Sequence, residues 1–245
     1  AASFQGSPLT LAAPVLEPAG KASQGRWLTT STTRAEACAA AASNGICASQ
    51  TPGGAVNLTI NGSLTSGGVA TLAVAPMERQ VLFTFAADES ARTYTVYGTN
   101  GQGNSISETV AGTASTATTV NFYKTVTRIA VDAANAGAMT VGTNGVCASA
   151  PLMMDTSLNP GNFSLQVGPF TGTINVTVQY TLQSIFNTNA YGTLIWNNIS
   201  SLTSKASNTD GTVAFPVSAF RLVTNSFTGS STACTLTVIQ SDNYQ

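Results

Sequence analysis

Ile174-Asn-Val-Thr-Val-Gln-Tyr-Thr-Leu-Gln183 is the stretch whose reading decides the fold. Ile174, Val176, Val178, Tyr180 and Leu182 share one side of an extended chain. Asn175, Thr177, Gln179, Thr181 and Gln183 share the other. Successive strand residues point to opposite faces, so this alternation predicts a half-buried antiparallel strand.

The same pattern continues in both directions. Downstream, Asp210-Gly211 marks a turn, and strands are expected at Val213–Val223 and Thr235–Ile239. Pro216 lies inside the first of these, which predicts an edge strand or a bulge there. Upstream, Val56, Leu58 and Ile60 alternate with Asn57 and Thr59. Further strand candidates are Val69–Val74, Val81–Ala86, Arg92–Gly98, Ser105–Val110, Val120–Val131 and Met139–Gly142. Asn61-Gly62 and Asn100-Gly101 suit tight hairpins that need positive φ. Short strands at regular spacing with Gly and Asn turns indicate sandwiches or small barrels. We therefore expect an all-β chain of two consecutive antiparallel β-sandwich domains, residues 52–145 and 146–245.

Residues 1–51 lack strand alternation. Pro8, Pro14 and Pro18 predict an extended arm. Thr33-Arg-Ala-Glu36 reads as a capping box before an alanine-rich run ending at Asn44-Gly45, which predicts a short helix. One hexapeptide recurs: Asn44-Gly-Ile-Cys-Ala-Ser49 and Asn144-Gly-Val-Cys-Ala-Ser149. Both copies fall at boundaries between regions. A repeated docking or linker element is one reading. Chance, or one turn chemistry used twice, is preferred.

Composition narrows the function. The chain has 245 residues, of which 43% are hydrophobic, enough for a real core. Only 8% are charged, against roughly 25% in an average globular domain. The nine Lys and Arg are scattered from Lys21 to Arg221, and the net charge is -1. No cationic field is present to attract nucleic acid. A weakly charged surface gives up charge-based solubility, which a protein tolerates when assembly covers that surface. No apolar stretch approaches the roughly 20 residues of a spanning helix, so no membrane partner is expected. Ala1–Gly20 lacks the basic flank and apolar core of an intact signal peptide. The start of a mature secreted chain and a chain that lost its initiator Met both fit.

Catalytic chemistry finds little footing. The chain has no His, which removes the usual Ser-His and Cys-His constellations. Asp88 and Glu89 are adjacent in an expected loop, where acids are more often solvated or calcium-ligating than catalytic. A glycosidase needs two carboxylates across a cleft, and Trp27 and Trp196 are the only Trp to serve as sugar platforms. Gly98-Thr-Asn-Gly101-Gln-Gly103 lies between two expected strands and reads as a hairpin, not a phosphate cradle. Cys38, Cys47, Cys147 and Cys234 contain no CxxC, so a zinc site would draw ligands from distant segments. One disulfide, Cys38 to Cys47, is an option; four buried thiols acting as small apolar residues is the favoured reading. Asn-x-Ser/Thr sites at Asn57, Asn61, Asn162, Asn175 and Asn198 are expected by chance in a chain this rich in Asn, Ser and Thr. We assign no catalytic, cofactor-binding or metal-binding residue, no cofactor and no enzymatic activity.

Two passages resemble a pair of modules that recur in tailed-bacteriophage virion structural proteins. The first comprises Val81-Leu-Phe-Thr-Phe-Ala-Ala-Asp-Glu-Ser-Ala-Arg-Thr-Tyr-Thr-Val-Tyr-Gly-Thr-Asn-Gly-Gln-Gly-Asn, Ser107-Glu-Thr-Val-Ala-Gly, Phe122-Tyr-Lys-Thr-Val-Thr-Arg-Ile and Val141-Gly-Thr. The second comprises Val176-Thr-Val-Gln-Tyr-Thr-Leu-Gln, Thr209-Asp-Gly-Thr-Val-Ala-Phe-Pro-Val-Ser-Ala-Phe-Arg-Leu and Leu236-Thr-Val-Ile-Gln. The resemblance covers Val69 to Gln240 and leaves out the Ala-rich segment Ala35–Ser49. It implies no catalytic residues. It implies a virion component made in the host bacterial cytoplasm, either a head decoration or cement protein on the capsid or a collar protein at the head–tail junction. Its partners would be capsid, portal or neck proteins and further copies of itself in a symmetric assembly. The alternatives are a receptor- or glycan-binding module of a tail fibre or spike, and a secreted bacterial surface protein.

Overall fold

The computed structural model describes residues 28–36, 40–72, 77–155, 160–185 and 194–242, and these form an all-β protein of two antiparallel sheets. In chain order the strands are β1 (Leu28–Glu36), β2 (Ala42–Gln50), β3 (Val56–Asn57), β4 (Thr65–Ser66), β5 (Val69–Thr71), β6 (Glu78–Phe85), β7 (Thr93–Thr99) and β8 (Ser105–Ala111). They continue with β9 (Thr116–Thr118), β10 (Thr125–Val131), β11 (Met139–Ala148), β12 (Leu152–Met153), β13 (Pro160–Thr181), β14 (Asn197–Asn198), β15 (Thr209–Val213) and β16 (Ala219–Asp242). The larger sheet runs β14-β13-β16-β11-β6-β9, with β1 and β12 also on β16, β15 on β13 and β2 on β11. The smaller runs β4-β5-β10-β7-β8, with β3 on β10.

The first core lies between the two sheets. Val81, Phe83 and Phe85 of β6 point inward, while Gln80, Leu82 and Thr84 stay partly exposed. Facing them from the smaller sheet are Tyr94 and Val96 of β7, Ile106 and Val110 of β8, and Val126, Ile129 and Val131 of β10. The Tyr94 ring sits 5.2 Å from both Phe83 and Phe85. Period-2 alternation thus becomes sheet-on-sheet packing.

The second core is built differently. β13 and β16 pair antiparallel from Pro160↔Asp242 to Thr181↔Ala219. Register shifts fall between Val167 and Phe170 and between Thr171 and Thr173. Gly172 (φ 65) and Gly229 (φ 86) supply left-handed backbone on the two strands. Across this break the buried set of β13 changes from Phe163, Leu165 and Val167 to Ile174, Val176 and Val178, yet all six join one core. The ladder folds over and its two halves enclose that core.

Ile174, Val176 and Val178 are buried as the opening stretch predicts, but β13 extends upstream to Pro160 and stops at Thr181. Leu182 follows the strand and is 59% exposed. On the opposite side, Thr177 and Thr181 are buried too. Thr177 Oγ1 accepts hydrogen bonds from the Ser204 N–H and from Asn225 Nδ2, which satisfies its hydroxyl.

Residues 28–36 and 42–50 are strands, and the expected N-terminal helix is not found among the described residues. The capping-box residues Thr33 and Glu36 lie in β1, paired with Leu236 and Ala233. Asn44-Gly45 lies in β2. The β-branched run Thr29, Thr30, Thr32, Thr33 favours a pleated strand once β16 offers a ladder, so tertiary pairing overrides the local cap. Residues 37–39 and the arm, residues 1–18, lie outside the described residues. β1 contributes Ala35 to the second core and β2 contributes Ile46 and Cys47 to the first. The N-terminal segment therefore ties both cores together. β11 does the same: Met139 and Val141 pack in the first core and Cys147 in the second, so position 145/146 falls inside a strand.

Three turn expectations need revision. Asp210-Gly211 is part of β15, paired with Gln166 and Leu165. The strand expected over Val213–Val223 is broken: β15 ends at Val213, Pro216 sits in the connection, and β16 begins at Ala219. Proline offers no ladder N–H, so the chain leaves the sheet around it. Asn61-Gly62 makes no hairpin; both N–H groups donate to the Ile46 carbonyl, at 3.1 and 2.9 Å, and brace β2. Asn100-Gly101 does join β7 to β8, with Asn100 Oδ1 accepting from the Gln102 and Asn104 N–H groups. The positive φ falls at Gly103 (φ 84), not on the Asn-Gly pair. The Gly98–Gly103 cluster is a hairpin, as expected.

Candidate functional site

The two residues with a carboxylate-pair pattern in the sequence do not act together. Glu89 is buried, and its Oε1 accepts the Gly137 N–H at 2.9 Å, which braces two loops. Asp88 is exposed and accepts the Ser90 N–H, and this bond holds its carboxyl below the usual range. Among the described residues no group of three His, Cys, Asp or Glu side chains is placed to hold a metal ion.

The cysteines correct both expectations made for them. Cys147 is disulfide-bonded, so the chain does not carry four free thiols. Cys47 is free and buried, as is Cys234, so no Cys38–Cys47 bridge forms. Cys47 is packed in the first core. Burial pushes both free thiols up to about 12, which makes them inert core residues. Cys38 lies outside the described residues.

The hexapeptide repeat is neither turn nor linker. Its first copy lies in β2 and its second runs through the end of β11, and these strands pair, with Val141 opposite Cys47 and Thr143 opposite Ala42. Two of the Asn-x-Ser/Thr asparagines accept hydrogen bonds through their side chains. Asn61 Oδ1 accepts from the Ala48 N–H, and Asn175 Oδ1 accepts from Asn225 Nδ2.

Most of the unusual chemistry lies where the two cores meet. Phe122, Ala148 and Val223 form a small apolar cluster there, with Val146 packed against it. Beside it, the Arg221 guanidinium sits 4.1 Å from the Trp196 ring centre and 4.9 Å from that of Phe122. Such stacking on two rings is favourable when water is partly excluded. Arg221 Nε donates to Gln179 Oε1 at 2.9 Å. Gln80, Asn121, Phe122, Gln179, Trp196 and Arg221 line a cleft of about 200 Å³.

Glu78 and Arg79, adjacent at the head of β6, are both buried here. Arg79 Nη2 donates to the Ala40 and Asn144 carbonyls at 3.2 and 2.7 Å, which clasps the N-terminal segment to β11. Burial lowers its pKa. The Glu78 carboxyl accepts the Gly101 N–H, and a Cβ at Gly101 would lie 2.2 Å from its Oε1. A side chain at position 101 would have to displace the Glu78 carboxyl. Burial raises Glu78 to about 7, against the smaller opposing effects of the Gly101 hydrogen bond and the charges of Arg221 and Lys124. None of Glu78, Arg79 or Arg221 was singled out from sequence. The signal that points to the first two is two adjacent opposite charges heading an apolar alternation in a chain with 8% charged residues.

A second concavity, of about 670 Å³, opens over β13, β15 and β16. Ser164, Gln166, Asp210, Thr212, Thr237 and Ile239 line it, from the outer faces of β13, β15 and β16.

No protein-family model matches the chain, and no curated protein matches it.

Proposed function

We propose that the protein is a non-enzymatic structural component of a tailed-phage particle, assembled on the capsid or at the head–tail neck. The observation that carries this reading is a pair of open strand edges on a nearly charge-free scaffold. Among the described residues, the only strand that β8 pairs with is β7, and the only strand that β1 pairs with is β16. An open edge presents unpaired N–H and C=O groups to a neighbouring chain. The arm precedes β1 in the chain. Two cores tied by β1, β2 and β11 suit a rigid building block. Its partners would be capsid, portal or neck proteins and further copies of itself.

Deleting residues 1–18 tests the proposal. Purified particles should then lack the protein by mass spectrometry; full incorporation overturns the assembly role of the arm. Stoichiometry separates the locations. A count matching the capsid lattice means decoration, and a count matching the portal ring means collar.

The groove over β13, β15 and β16 favours a second reading, a receptor- or glycan-binding module. Ser164, Gln166, Asp210, Thr212 and Thr237 offer hydrogen-bonding groups there beside the apolar Leu165 and Ile239, a mixture that suits a sugar, and a specific glycan-array hit lost on Asp210→Ala would support it. The Cys147 disulfide suits a place outside the reducing cytoplasm, which a released particle and a secreted surface protein share.

A further inference from the structure

We propose that Asn100-Gly101 is a self-modification site: the Gly101 nitrogen closes a succinimide ring on Asn100 Cγ, and the Glu78 carboxylate is the base that takes its proton. Three features of the β7–β8 turn prepare this reaction. The electrophile is polarised and held. Asn100 Oδ1 accepts the Gln102 and Asn104 N–H groups at 3.0 and 2.9 Å. The Asn100 backbone donates to the Asn104 carbonyl and accepts the Gly103 N–H, both at 3.0 Å. Two N–H donors on Oδ1 stabilise the negative charge that builds there when Cγ is attacked. The leaving group is untethered, because Asn100 is fully buried and its Nδ2 has no hydrogen-bond partner. The base is in place. Glu78 Oε1 and Cδ fill the space beside Gly101, 2.2 and 3.0 Å from where a Cβ would project, and the carboxyl accepts the Gly101 N–H. A general base must lie within hydrogen-bond reach of the proton it removes.

The bond from Gly101 N to Asn100 Cγ forms, the Cγ–Nδ2 bond breaks, and ammonia leaves. The Gly101 proton passes through Glu78 to the departing nitrogen. Water then opens the ring to Asp or isoAsp and is the one co-reactant. Closure removes the Gly101 N–H and its bond to Glu78. Opening leaves a second carboxylate beside Glu78, in a buried setting where like charges disfavour one another. The hairpin is thereby loosened from the head of β6.

The chain carries three further Asn-Gly pairs, and they are built differently. The Gly62 N–H donates to the Ile46 carbonyl, which cannot take up its proton. Asn144 Nδ2 donates to Gln80 Oε1, which tethers the leaving group. Beside Gly45 the space is filled by the apolar Leu64 side chain.

Peptide mapping by mass spectrometry on the folded full chain, aged at neutral pH, reads each pair. The tryptic peptide Thr93–Lys124 should lose the mass of one ammonia and then gain that of one water, with fragment ions placing the change at Asn100. Asn100 should react at least about tenfold faster than Asn61 and Asn144, a conservative share of what a positioned base contributes. Glu78→Gln should remove that lead. If Glu78→Gln does not fold, the parent in denaturant decides: with Gly after each Asn and no fold to set them apart, the pairs should react at closely similar rates. A native Asn100 that ages no faster than Asn61 and Asn144, or a lead that survives in folded Glu78→Gln or in denaturant, overturns the site.

Discussion

The rings of Phe163 and Phe220 meet edge to face, 5.4 Å apart, although the two residues belong to opposite ends of one ladder. Phe163 pairs with Gln240, and Phe220 pairs with Tyr180. On a straight ladder, Phe163 and Tyr180 would stand roughly 55 Å apart at about 3.3 Å per residue. The contact exists because β13 and β16 both bend, and it closes the second core. Phe163→Ala and Phe220→Ala should each cost about 3–5 kcal/mol in chemical denaturation. Because each ring packs on the other, the double variant should lose less than the sum. Strict additivity would mean that the two halves are energetically separate.

Gly142 sits where β2 crosses β11, and a Cβ there would lie 1.7 Å from the Ala42 carbonyl oxygen. Backbone cannot yield as a flexible side chain does. Gly142→Ala should push β2 off the first core and destabilise it by roughly 3 kcal/mol. Limited proteolysis should cut within residues 42–50 at protease concentrations that leave the parent intact. Equal resistance of the two proteins would refute the close crossing.

Local pattern and observed structure agree where burial is one-sided. Val81–Ala86, Arg92–Gly98 and Ser105–Val110 alternate; β7 and β8 fall there within one residue, and β6 begins three residues earlier, at Glu78. They part where long-range pairing decides. Thr33-Arg-Ala-Glu36 satisfies a helix cap locally, but β16 supplies nine partners for Leu28–Glu36. Asp210-Gly211 has turn chemistry, but β13 captures it as an edge strand. The junction was illegible for a related reason. Glu78, Lys124 and Arg221 are far apart in the chain, and only the folded ladder brings them near one carboxyl.

Thiol chemistry distinguishes the cysteines. Cys47 and Cys234 are buried with thiols near 12, so the thiolate that reacts is scarce at neutral pH. Native protein should resist iodoacetamide at both positions, and both should be labelled fully in denaturant. Cys147 should stay unlabelled until a reductant is added, and a non-reduced digest should contain it in a cross-linked peptide. Labelling of Cys147 without reductant would contradict its disulfide.

The Glu78 carboxyl titrates at about 7 in the fold, against 4.5 for the unperturbed side chain. The folded state therefore binds this proton more tightly than the unfolded chain does. For a raised pKa, the contribution to stability is full below pH 4.5 and is lost as pH rises through 7. The difference corresponds to about 3 kcal/mol. Asp88 and Asp132, both lowered, act with the opposite sign and at lower pH, and both are exposed. Glu78→Gln keeps the shape and removes the proton. Denaturation midpoints of the parent should therefore fall between pH 4.5 and about 8 relative to Glu78→Gln, whose own profile should be flatter over that range. Parallel profiles would mean that the carboxyl is already ionised at pH 5 in the fold. The raised value would then be wrong.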